Sequence, residues 1–213
     1  MSTSKTFGRV LMISGACLLL FAYHFLSSNI NESNQAASFS QEALMQIRTL
    51  SAFNPKPTIT NEQTISSSSE EHPINIQMPV KHIDGADYVG IVKIPKLDIS
   101  LPIINEWSEA SLKKAPCRYA GSAYAGNLIL CAHNYAHHFG RLEKLTIDDI
   151  IELEDFDGNQ FTYQIIKFEQ LKGHQVKEML DGDWDLTLFT CVKGGQKRYT
   201  VRCKLISQNS DYH

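Results

Sequence analysis

The stretch Thr187-Leu188-Phe189-Thr190-Cys191, continued by Val192-Lys193-Gly194-Gly195-Gln196-Lys197-Arg198, decides how the chain is read. Asp185 to Phe189 alternates and is rich in β-branched and apolar residues, which predicts a strand. Gly194-Gly195 breaks the run, and Tyr199 to Leu205 begins a second strand. The connection is too long for the tightest two-residue hairpin, which leaves the turn type open. Two antiparallel neighbours of this kind bring the thiol of Cys191 and the guanidinium of Arg198 close together. Fixed positive charge favours loss of a thiol proton, and the thiolate is the reactive form. A histidine is the third part of such a site. Leu128-Ile129-Leu130-Cys131-Ala132-His133 supplies one at the end of another apolar strand.

Outward from this point the chain reads as short strands and turns. Val89 to Ile94, Ile99 to Ile104, Asn127 to Ala132, Ile150 to Leu153 and Gln160 to Phe168 are expected strands. Asp155-Phe156-Asp157-Gly158-Asn159 is a clear turn between the last two. Ser108 is an expected helix cap for a single helix through Lys114. Phe139 to Leu145 is a short helical turn, Tyr119 to Tyr124 is loop-like, and Gly173 to Asp183 is a connection. About eight short strands with little helix point to a compact β-barrel.

Cys191 in its strand, Arg198 after the turn and His133 after its own strand together resemble the sortases, the cysteine transpeptidases that attach proteins to Gram-positive cell walls. Phe139-Gly140-Arg141-Leu142-Glu143-Lys144-Leu145 resembles the segment after that family's histidine. Ile91 to Pro95 and Leu101-Pro102-Ile103 resemble its opening strands. The resemblance spans Ala86 to Ile206. It implies a mainly-β fold, a closed eight-stranded sortase-type barrel with short helices, with Cys191 as nucleophile and His133 as general acid–base. Arg198 would hold the substrate or the oxyanion. Thr190 is expected to orient the thiol or substrate, and Asn134 to steer the imidazole. Arg202 competes with Arg198, and His137 and His138 compete with His133, although they read as rim residues. Ala132 stands where the family usually has glycine, and Thr146-Ile147-Asp148-Asp149 replaces a glycine-aspartate pair, so no class is assigned. The implied substrate is an exported protein with a Leu-Pro-any-Thr-Gly-like C-terminal signal. The acceptor is an amine of a peptidoglycan precursor, or a pilin lysine in a polymerising enzyme.

The 213 residues suit one domain with appendages. A net charge of −3 gives no basic footprint for nucleic acid. Residues 10–26 are apolar over about 17 residues, at the short end of what crosses a bilayer. Lys5 and Arg9 precede them, so residues 1–9 are expected in the cytoplasm, 10–26 in membrane lipid and the rest outside. A cleaved signal shares these features and is the competing reading. Residues 27–85, rich in Ser, Asn, Gln and Thr, read as a flexible extracellular spacer, and residues 86–213 as the catalytic domain. Within the spacer, Ser40 to Leu50 has helical spacing that suits a stalk or a contact with the domain.

Of the five cysteines, Cys131 and Cys203 read as buried hydrophobes, and a disulfide among Cys117, Cys131 and Cys203 stays open. No metal or cofactor is expected. Two rivals remain. A papain-like hydrolase needs its cysteine early, on a helix and before its histidine, which is not the order here. A catalytically inert binding module would survive loss of Cys191.

Overall fold

The β-branched and aromatic runs form nine strands: β1 (Lys81–Ile83), β2 (Ala86–Ile94), β3 (Ile99–Ile104), β4 (Cys117–Ala120), β5 (Leu128–Ala132), β6 (Ile150–Glu154), β7 (Gln160–Lys172), β8 (Leu186–Cys191) and β9 (Lys197–Asn209). The computed structural model describes residues 3–53, 77–192 and 194–209. The strands lie in the order β1-β2-β3-β4-β5-β8-β9-β7-β6, and β2 also pairs with β6, closing a ring that leaves β1 outside.

The expected mainly-β fold is present and eight strands, β2 to β9, close the ring, but it is not a regular barrel. β3 meets β4 in parallel through one register pair, Ile104↔Cys117, and β5 runs parallel to β8 along its whole length. The ring is therefore irregular, with a ninth strand at its edge. β1 arises from Asp84-Gly85, both at positive φ (46° and 74°), the two-residue signature of a tight hairpin. β4 occupies part of the segment expected to be loop.

Two apolar clusters explain why β5 is buried along both faces. Leu128, Leu130 and Ala132 point into the ring with Leu188, Val201, Phe161 and Leu142. Ile129 and Cys131 point outward and pack with Phe189, Cys117 and Met179. Strand alternation then carries His133 to the outer face of β5 and Cys191 to the outer face of β8.

A helix, α1 (Thr3–Phe53), precedes the sheet, and it is long and apolar enough to cross a membrane. Its second half corrects the flexible spacer. Between Ser27 and Phe53 no Gly or Pro interrupts the helix. Ser33, Ala36, Ser40, Ala43, Leu44 and Ile47, three or four residues apart, are buried. Ala43, Leu44 and Ile47 join the outer cluster, and Ser40 Oγ donates to the Lys114 carbonyl at 3.0 Å. The Ser40 to Leu50 spacing is thus a contact with the domain. The expected flexible run Ser66 to Glu71, with Pro55, Pro57 and Pro73, lies outside the described residues.

Ser108 caps α2 (Glu109–Leu112), accepting from the Ser111 amide at 3.0 Å. The segment Phe139–Lys144 is a 3₁₀ turn, and α3 (Val176–Leu180) interrupts the expected connection before β8. Ring closure depends on Gly90. Its φ is +152°, and a Cβ there would lie 2.3 Å from the Glu154 carbonyl oxygen on β6. Gly90→Ala should therefore cost about 2–4 kcal/mol, read as a lower thermal midpoint of the detergent-solubilised chain.

Candidate active site

Parallel pairing of β5 with β8 sets Ala132 opposite Thr190, so His133 and Cys191 follow side by side at the strand ends. Antiparallel pairing of β8 with β9 sets Cys191 opposite Arg198. Three adjacent strands thus deliver the thiol, imidazole and guanidinium to one cleft of about 310 Å³. Cys191 and His133 are half-buried.

Thr190 is buried, and its Oγ1 donates to the Ala132 carbonyl at 2.9 Å. It therefore braces the strand that carries His133. Ala132 fits where the family usually has glycine because its methyl fills the ring core. Asp148 takes the left-handed backbone, at φ 72°, that a glycine would otherwise supply.

The two arginines separate sharply. Arg198 is half-exposed, and its guanidinium donates to the Gly195 carbonyl at 2.7 Å and the Lys197 carbonyl at 3.4 Å. Arg202 is 1% exposed and fully engaged away from the thiol. It donates to Glu169 Oε1 at 2.7 Å, Thr187 Oγ1 at 2.9 Å, and the carbonyls of Met179 at 3.0 Å and Glu178 at 2.6 Å. Of the two, Arg198 is the arginine that lines the cleft with Cys191 and His133.

Burial holds the His133 imidazole below its ordinary pKa. The Glu109 and Glu32 carboxylates pull the other way, and Lys113 adds to the lowering. The ring is therefore neutral at pH 7, and its buried Nε2 has no hydrogen-bond partner among the described residues. The Asn134 side chain, expected to steer the imidazole, is exposed, and its Oδ1 lies toward Gly140. The ring beside His133 is Tyr135, with centroids 4.9 Å apart and planes tilted by 43°. Tyr135 stands two residues after His133, a spacing that the strand pattern, already ended, does not single out.

His137 is exposed, as a rim residue should be, but His138 is fully buried. Both His138 nitrogens lack a partner in hydrogen-bond geometry. Burial, with help from His133 and His137, pushes its pKa down to about 4, against the nearby Lys114 and Ala36 carbonyls. In the unfolded chain the value returns to about 6.5. As the pH falls from about 6.5 toward 4, the unfolded chain gains a proton that the folded one excludes. Stability present above that range is then lost, by up to about 3 kcal/mol. His138→Phe should remove that part of the pH dependence of the thermal midpoint.

All five thiols are free. Cys117 and Cys131 are buried register partners across β4 and β5, while Cys203 lies inside the ring. Burial pushes the Cys117 thiol up to about 12 and raises those of Cys131 and Cys203 as well. Among the described residues no three His, Cys, Asp or Glu side chains gather as a metal site. An aromatic wall also lines the cleft. Trp107 and Tyr119 lie 5.9 Å apart, and Tyr119 meets Phe189 edge-on at 5.3 Å.

Residues 92–206, more than half of the chain, match the sortase domain family. Sortase A of Bacillus anthracis is 24% identical over 150 residues, which cover 67% of this chain and 71% of that one. Sortase C1 of Streptococcus agalactiae superposes with a TM-score of 0.52 at 25% identity, over 59% of this chain and 71% of its own. Sortase A of Listeria monocytogenes gives a TM-score of 0.53 at 21% identity, over 58% and 90%.

Proposed function

Because this chain belongs to the sortase family of cysteine transpeptidases, we propose that it cuts a Leu-Pro-any-Thr-Gly-like signal near the C-terminus of exported proteins and passes the protein to a cell-wall amine. The observation that carries this reading is the strand register, with Cys191 opposite Arg198 and next to the strand ending at His133. In this reading the neutral His133 imidazole first takes the Cys191 thiol proton, and the resulting thiolate Sγ attacks the threonine carbonyl. Arg198 steadies the resulting oxyanion or the substrate backbone. His133 gives a proton to the glycine nitrogen, the C–N bond breaks, and a thioester remains. An incoming amine attacks that thioester, His133 takes the amine's proton, and Cys191 leaves as thiolate while a new amide forms.

The cleft wall suits the apolar part of such a signal. Trp107, Tyr119 and Phe189 offer flat surface for leucine and proline, and Leu112, Val176 and Met179 extend it. We also read residues 10–26 as an uncleaved anchor with the N-terminus in the cytoplasm and the catalytic domain outside. The unbroken passage of α1 from its apolar part to residues packed on the domain supports retention of the helix.

The test uses the full chain in detergent micelles with fluorescent sorting-signal peptides and two amines, a peptidoglycan-bridge peptide and a lysine-bearing pilin peptide. Intact mass measurement should show an acyl adduct on Cys191 that moves to the bridge amine. Preference for the pilin lysine would replace wall anchoring by pilus polymerisation. Release to water alone, with both amines present, would make it a hydrolase. Absence of any adduct across the panel would overturn the reading.

A further inference from the structure

His133 sits at the end of β5 with no hydrogen bond to its buried Nε2, so something else must fix its ring. Tyr135 does this by packing. The buried phenol ring packs against both imidazoles, 4.9 Å from His133 and 5.5 Å from His138, tilted by 43° and 45°. Its backbone is pinned as well, because its carbonyl accepts from the His138 and Gly140 amides at 3.0 Å each. A ring packed against two others still slides unless its far end is tied. That tie comes from outside the sheet: Tyr135 Oη donates to Glu32 Oε2 on α1 at 3.0 Å.

α1 is held firmly at this point. Ser33, Ala36 and Ser40 are buried on the turns around Glu32, and Ser40 bonds to Lys114 just beyond α2. We propose that Tyr135 and Glu32 are positioning residues for His133, so that the helix leading out of the apolar span completes the active site. Glu32 orients the phenol, and the phenol sets the plane of the imidazole. The inference rests on the reading of His133 as general acid–base.

Two effects follow, and they separate. Tyr135→Phe and Glu32→Ala each break the tie, and misplacing an acid–base group lowers kcat with little change in KM, here by about tenfold. The double variant should lose no more than either single one, because both remove the same tie. Glu32→Gln keeps an oxygen acceptor for Tyr135 Oη but removes a charge. The titratable and charged groups around His133 are Glu109 from α2 and Lys113 just after it, Glu32 from α1, Tyr135 and His138 from its own loop, and Cys191 and Arg198 in the shared cleft. With Glu32 neutral, one of the two carboxylates favouring the imidazolium is gone. The His133 titration should then move to lower pH, while kcat stays near wild type.

The experiment uses the full chain in micelles. His133 is titrated by NMR of the imidazole, and transfer to an amine is followed from pH 5 to 9 in wild type and the four variants. Ser40→Ala serves as the structural control. It loosens α1 and should lower the thermal midpoint without moving the His133 titration. Unchanged kcat in Glu32→Ala and Tyr135→Phe would overturn the proposal. So would losses that add in the double variant, or a His133 titration that follows Ser40→Ala as closely as Glu32→Gln. If wild type transfers nothing, the functional reading fails, yet the NMR titration still reports whether Glu32 acts on His133.

Discussion

Cys191→Ala is expected to lower transfer by about 10⁴-fold or more, to the background of peptide and water alone. The substitution removes one sulfur from a half-buried strand end, so the thermal midpoint should stay within about 2 °C of wild type. Loss of activity without loss of fold distinguishes a nucleophile from a packing residue. The neighbouring thiol makes the test sharper. Cys131 lines the same cleft on the same outer face of the sheet, two residues before His133. Burial raises its pKa, with Cys117 adding to the rise, so it stays protonated and cannot stand in for Cys191. Cys131→Ala should reduce transfer by less than about tenfold and act mainly on stability, through lost packing against Cys117 and Phe189. Acyl adducts should therefore map to Cys191 alone. An active Cys191→Ala protein would return the chain to the inert binding module, or to a site elsewhere.

The residues proposed to react could be picked out because each lies at the end of an apolar strand, and a strand's register is a local property. The turn from Cys191 to Arg198 contains its own glycines, so their apposition needed no long-range information. The histidine strand was visible from Leu128 to Ala132, although nothing local says that it lies parallel to β8. What could not be read depends on contacts distant in sequence. Glu32 and Tyr135 meet across 103 positions of sequence, and neither belongs to a periodic pattern that singles it out. His138 looks like a loop histidine until α1 covers it. Asp84-Gly85 was a readable hairpin signal, hidden by the polar composition of the segment before it. The helix from Ser27 to Phe53 was hidden in the same way: Ser, Asn and Gln lower hydropathy, yet without Gly or Pro they do not break a helix that gains a packing surface.

The arginine pair gives the other large effect, and its two members should fail in opposite ways. Arg198→Ala removes a half-exposed guanidinium that, among the described residues, hydrogen-bonds to carbonyls of its own turn. Its folding cost should be under about 1 kcal/mol, while kcat/KM should fall about 10²–10³-fold, the effect of losing one charge-stabilising donor. Arg198→Lys should recover part of this, since the charge remains but the planar fork does not. Arg202→Ala leaves the Thr187 hydroxyl, two carbonyls and the Glu169 carboxylate without their shared donor in a buried site. The cost is about 3–5 kcal/mol, or a fall of about 10–20 °C in thermal midpoint. The same contact sets an acid limit. Burial pushes the Glu169 carboxyl up, but Lys167 and Arg202 outweigh it and hold the group below the usual carboxylate range. A depressed carboxyl contributes stability above its unfolded pKa of about 4.3 and loses it as the pH falls through the folded value. Arg202→Ala should therefore flatten the acid side of the stability profile below about pH 4. Kept cold enough to stay folded, it should retain most of its transfer activity, because its guanidinium points to α3 and Glu169 rather than to the thiol. A stable but inactive Arg202→Ala, beside an active Arg198→Ala, would reverse the assignment of the two residues.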